Sequence, residues 1–241
     1  MAKTIEALKR AEEERKFQAG EFNPPRKIMG LKMTPQAETE NQRLKYNLLQ
    51  LIPEKDVRTI LFASCSEAEG ASTVVANFAS ALASSGESVL LVDANFRSPS
   101  MHARFNLARE NGFTDLLLGR SPLARIIKET TVPNLSVITS GAPYENPMSL
   151  LESDSLEFIV AAVKEKAHWV LFDAPPLARF MDAITLAPRV DGVVMVVEAE
   201  KTRWEVAESV HQRIVSGNGK VLGVVMNKRR YPIPDWLYKR L

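Results

Sequence analysis

Six apolar runs punctuate the chain: RTILFAS (58–64), SVLLVDA (88–94), NLSVITS (134–140), HWVLFDA (168–174), GVVMVVEA (192–199) and KVLGVVMN (220–227). Each has strand length, and each is apolar at consecutive rather than alternate positions, the mark of a strand buried on both faces. Between them apolar residues return at helical spacing, which predicts helices over roughly 72–85, 99–105, 113–118, 148–166, 181–187 and 203–216. A further amphipathic helix precedes the first strand, ENQRLKYNLLQLI (40–52), with Leu44, Leu48, Leu49 and Ile52 on one stripe. Strands alternating with helices give an α/β fold with a doubly wound, mostly parallel sheet covered on both faces. Ligands in such sheets lie at the carboxyl ends of the strands, so the residues just after each strand are the informative ones.

The pattern ahead of this region differs. Residues 3–16 (KTIEALKRAEEERK) predict a short helix with Ile5, Leu8 and Ala11 on a narrow stripe. That helix either packs on its own domain or serves as a handle for a partner protein. Gln18 to Gln36 reads as a linker, broken by Gly20, Pro24, Pro25, Gly30 and Pro35. The chain therefore divides into an N-terminal helical arm and linker (1–37), an α/β domain (38–228) and a tail (229–241).

Composition narrows the function. In 241 residues, 45% hydrophobic and 25% charged content is that of an ordinary globular protein. A formal net charge of +2 without a block of like charge gives no argument for a nucleic-acid partner. The apolar runs are too short to cross a bilayer, and no apolar signal core follows the charged start, so a cytoplasmic protein is expected. A single cysteine, Cys65, excludes an internal disulfide, and it reads as a small core residue. His102, His168 and His211 show no metal-ligand spacing.

Three strand ends carry candidate chemistry. SCSEAEGAST follows the first strand and opens a helix, which is the layout of a phosphate-binding loop, but Ala71 stands where such a loop has its lysine. Asp93 closes the second strand and Asp173 the fourth. A strand-end aspartate is unfavourable to bury unless something pairs with it. Two of them beside one loop point to a shared metal or phosphate site, whereas either alone is more simply a helix cap or ion-pair partner.

LLVDANFRSPSMHARFNL, WVLFDAPP and KVLGVVMN, with GFTDLLLG and SGAPYENPMSLLES as secondary matches, resemble the bacterial tyrosine kinases of capsule and exopolysaccharide assembly, part of the deviant-Walker group of P-loop ATPases. The resemblance spans about Glu38 to Lys228. It implies that Glu67 to Thr73 is the Walker A loop, with Gly70, Ser72 and Thr73 at the phosphates and Ser72 on magnesium. It implies that Asp93 binds magnesium or activates the attacking hydroxyl, that Asp173 helps hold magnesium, and that Asn227 contacts the adenine. ATP or ADP with Mg2+ are the implied cofactors. The implied partner is an inner-membrane polysaccharide co-polymerase or chain-length protein, with homo-oligomers a family habit.

The departures are concentrated in the site. Ala68 takes a family glycine position, where a Cβ penalises positive φ, and Glu67 replaces a proline. Ala71 removes the lysine, and Asn95 replaces the second aspartate of the motif that begins at Asp93. Arg97, Lys201 and Arg203 are the cations that could stand in. Glu40 and Arg43 fit the family's Glu-x-x-Arg-x-x-Arg oligomerisation pattern, but Tyr46 takes the third place. The tail holds Tyr231 and Tyr238 instead of a tyrosine cluster, and reads as a clip on the domain or a basic-aromatic docking element. The expectation is a catalytically impaired, kinase-like partner or regulator, retaining at most weak nucleotide binding. Its rivals are an active kinase or ATPase with a non-standard phosphate grip, and a positioning ATPase.

Overall fold

The structure, a computed structural model, describes residues 34–52, 58–153 and 155–229. All of these belong to the unit Met33–Leu241. The arm helix over 3–16, most of the linker, and the tail with Tyr231 and Tyr238 lie outside the described residues.

Seven strands form one sheet among the described residues: β1 Arg58–Ser64, β2 Val89–Asp93, β3 Lys128–Glu129, β4 Leu135–Ile138, β5 Trp169–Ala174, β6 Gly192–Glu198 and β7 Val221–Asn227. Their order is β3-β4-β2-β5-β1-β6-β7, parallel throughout except for the β3–β4 pair. The doubly wound expectation holds, and all six apolar runs are strands. β3 escaped it because two residues carry no periodicity. Every residue of β2 and β5 is buried, as runs apolar on both faces require. β7 is one edge of the sheet, with Val224 and Met226 exposed, so this run is not buried on both faces as its apolar sequence predicted.

The helices are α1 Pro35–Leu51, α2 Ala71–Ser84, α3 Met101–Arg104, α4 Phe113–Leu117, α5 Leu123–Ile126, α6 Pro147–Leu151, α7 Ser155–Lys164, α8 Asp182–Leu186 (continued by a 3-10 turn, Ala187–Arg189) and α9 Trp204–Ser216. Two expectations need correction. Pro35 does not break the chain: it opens α1, while the Thr34 hydroxyl accepts a hydrogen bond from the Ala37 N–H at 3.2 Å as the N-cap. A proline fits there because the first helical N–H has no partner to lose. The single helix expected over 148–166 is two, α6 and α7.

Side-chain alternation decides which face carries the site. Phe62 lies in register beside Asp173, so both point to the same face, and Phe78 of α2 packs against Phe62 with ring centroids 5.8 Å apart. Trp169, four residues before Asp173, meets Phe78 edge-on at 6.1 Å. α2 therefore covers this face, and its first turn lies over the strand-end aspartates. On the far face Phe172 packs against Phe113, which stacks on Phe96. α1 is tied on by buried Leu48 and by Lys45, whose ammonium donates to Glu87 at 2.7 Å.

Candidate phosphate-binding site

The loop between β1 and α2 turns through two residues of positive φ. Ala68 has φ of 60° and Gly70, the N-cap of α2, has φ of 95°. Gly70 is obligatory on two counts, since a Cβ there would also stand 2.4 Å from Asn227 Nδ2. Ala68, expected to resist positive φ, adopts it, at a cost of about 1–2 kcal/mol for an L-residue. The first N–H groups of a helix lack intrahelical partners and carry its positive dipole end, so the start of α2 is electrostatically suited to an anion.

The loop is held by its own polar groups. Glu69, almost fully buried, accepts from the Ser66 N–H at 2.7 Å and from the Thr202 hydroxyl. Its carbonyl accepts from Asn227 Nδ2 at 2.8 Å. Lys228 Nζ donates to the Ala68 carbonyl at 2.5 Å and to Glu198 at 2.9 Å. Exposed Glu67, at the family's proline position, pairs with Arg179. Asn227 thus braces the loop through its amide nitrogen, and Lys228 fixes the residue before Glu69 through its carbonyl.

Beneath the loop, Asp93 and Asp173 are register neighbours on β2 and β5, both with 0% exposure. Their environments differ. Asp93 accepts from the N–H groups of Asn95 (3.2 Å), Ser100 (3.0 Å) and Met101 (3.0 Å), and so caps α3. Among the described residues neither carboxyl oxygen of Asp173 has a hydrogen-bond partner. The Ser72 hydroxyl, on the first turn of α2, favours its ionised form without reaching full hydrogen-bond geometry. Burial pushes the Asp93 carboxyl up to about 6, against the pull of its three N–H donors and Arg109. Burial, then the neighbouring Asp93 charge, hold Asp173 well above the ordinary carboxylate range. A buried, unpartnered carboxylate beside a hydroxyl is a donor set that fits a hard divalent cation completed by phosphate and water oxygens. Asp173 and Ser72 are the residues that would hold magnesium.

The expected stand-in cations are placed elsewhere. Arg97 donates to buried Asp182 at 3.1 Å, with its guanidinium 4.2 Å from the Phe180 ring centre. Lys201 is 67% exposed and paired with Glu198, and Arg203 is exposed beside Glu205. Asn95 turns inward, its Oδ1 accepting from the Ser98 N–H at 3.1 Å. Ala71 is buried on the first turn of α2. The cation that does approach is Arg104, the last residue of α3, whose Nη2 donates to Thr73 Oγ1 at 2.8 Å. Nothing in its sequence position signals this, because it depends on where α3 folds back. Cys65 is buried, and burial pushes its thiol up to about 12, which makes it inert. On α1, Glu40 pairs with Arg43 and Tyr46 is exposed.

The AAA domain family matches residues 57–216, from the approach to β1 through the end of α9. The chain is similar to the tyrosine-protein kinase YwqD of Bacillus subtilis (strain 168), with 32% identity over 177 residues that cover 73% of this chain and 75% of that protein. It is 31% identical over 182 residues to the succinoglycan biosynthesis transport protein ExoP of Rhizobium meliloti (strain 1021), covering 74% of this chain and 23% of ExoP. Among solved structures it is similar to the chimerical protein CapA2B2, with a TM-score of 0.77 and 29% identity over 83% of this chain and 88% of that one. The resemblance read from the strand-end motifs is thereby established, and the chain belongs to the bacterial tyrosine-protein kinase family of AAA-domain, P-loop proteins.

Proposed function

We propose that this chain is a phosphoryl-transfer-impaired member of its family that binds magnesium-nucleotide as a structural or regulatory ligand in bacterial exopolysaccharide or capsule assembly. The observation that carries the reading is a retained curl over an orphaned Asp173, combined with Ala71 at the lysine position. Gly70, Ser72 and Thr73 would receive the phosphates, and Ser72 with Asp173 would hold magnesium, which when bound neutralises charge on the phosphate oxygens. Asn227 borders the loop where a base would lie, with its Oδ1 free of the brace to Glu69. Asp93 is engaged as a helix cap, and Asn95 supplies no second carboxylate, so base assistance to an attacking hydroxyl is weak. Removing one preorganised donor from a transition state typically costs about 10²–10³ in rate.

The partner that fits this role is an inner-membrane polysaccharide co-polymerase, which would bring the chain to the membrane. The similarity to ExoP, named as a polysaccharide transport protein, supports that assignment. No helix among the described residues is long and apolar enough to cross a membrane itself. Calorimetry with magnesium-ADP and magnesium-ATP, run beside a turnover assay, tests the reading. Binding without turnover is expected. Turnover that Asp173→Ala abolishes would establish an active enzyme with a rearranged grip instead.

A further inference from the structure

We infer that Arg104 supplies the positive charge to a bound nucleotide's phosphates, in place of the lysine absent at position 71. This deepens the nucleotide-binding reading above and rests on it.

Arg104 reaches the loop-bearing helix from a separate element. It ends α3, the helix capped by Asp93, and reaches the first turn of α2, where Nη2 donates to Thr73 Oγ1 at 2.8 Å. Its Nε donates to Ser100 Oγ at 3.2 Å, which fixes the plane of the guanidinium. A guanidinium has five N–H donors, so three remain after these two bonds. Among the described residues no carboxylate closes an ion pair with it, although the charges of Asp173 and Asp93 both act on it.

The second observation is independent. Asp173 ends β5 beneath the first turn of α2 with 0% exposure, and among the described residues neither of its oxygens has a hydrogen-bond partner. A bare carboxylate beside the first turn of α2 and a guanidinium with spare donors at the same turn match the two faces of a metal-bound phosphate. The metal would meet Asp173 and Ser72, and the phosphate oxygens would meet Arg104 and the N–H groups opening α2. Planar, multi-donor recognition of phosphate is what guanidinium does better than ammonium. The competing cations are committed elsewhere: Arg97 to Asp182, Lys201 to Glu198, and Lys228 to the Ala68 carbonyl and Glu198.

The test is calorimetry on the full chain with magnesium-ADP, and with adenosine as the phosphate-free control, accompanied by thermal unfolding. Arg104→Gln should weaken magnesium-ADP roughly ten- to hundredfold, the scale of one charge-assisted hydrogen bond, and leave adenosine binding unchanged. Arg104→Lys should recover part of the loss, and Ala71→Lys added to Arg104→Gln should recover most of it. Magnesium-ADP affinity within twofold of the parent in Arg104→Gln overturns the assignment. An equal loss for adenosine also overturns it, because the residue then only shapes the pocket. A parent protein that binds no magnesium-ADP at millimolar concentration brings down the nucleotide reading itself, and this inference with it.

Discussion

At Ala68 a methyl group sits on a backbone with φ of 60°, a conformation that glycine adopts freely and alanine does not. The loop tolerates it because Lys228 holds the Ala68 carbonyl while Asn227 holds the next one along. Ala68→Gly should therefore stabilise the protein by about 0.5–1 kcal/mol in urea unfolding, the relief of strain partly offset by a more flexible unfolded chain. Destabilisation would mean that the loop is not curled at this residue. Asp173 makes a second residue-scale case. Its folded carboxyl titrates above its unfolded value, so its contribution to stability is complete below the unfolded carboxylate range and declines as pH rises through the folded value. Asp173→Asn removes that decline. In EDTA the variant should be more stable than the parent at pH 8, with the gap closing as pH falls toward 4. Magnesium-nucleotide should reverse the order, since only the parent offers a carboxylate to the metal.

At the scale of elements, two local signals were read differently by the fold. Pro35 looked like linker punctuation, yet Thr34 before it supplies a cap and the residues after it supply the helix, so it became the first residue of α1. The attachment of α1 rests partly on Lys45 and Glu87, and the hydrogen bond from Lys45 draws the Glu87 carboxyl below its ordinary range. The pair's contribution is present above the unfolded carboxylate pKa and is lost as pH falls through the depressed folded value. Glu87→Gln should cost under about 1 kcal/mol at pH 7, because the pair is partly solvated. Parent and variant should then converge below about pH 4, as urea midpoints across pH would show. A constant offset at every pH would assign the effect to packing.

For the whole molecule, the proposed site draws on charged residues from distant parts of the chain. Ala71→Lys returns a cation to the loop but leaves Asn95 where a second carboxylate would stand. The expected outcome is tighter magnesium-ATP binding without kinase-level turnover, measured by ADP release and by phosphotyrosine formation. Kinase-level activity from that single substitution would show that the rest of the site is competent and that the lysine was its only lack. Ligand binding should also stabilise the fold, by about 2.7 kcal/mol at a hundredfold excess over Kd, and chelating the magnesium should remove much of that gain.

Six of the seven strands, and the burial of the central ones on both faces, were legible in the sequence, because apolar periodicity is a local property of the chain. So were the missing lysine and the two aspartates. The sequence could not show that Asp93 and Asp173 are register neighbours with opposite fates, one capped by three N–H groups and the other left bare. Nor could it show that Arg97 and Lys201 are spoken for while Arg104 faces the loop. Hydrogen-bond partnership and desolvation depend on which strands lie side by side and where a short helix turns back. These are properties of the packed chain, and they decided which charges belong to the site.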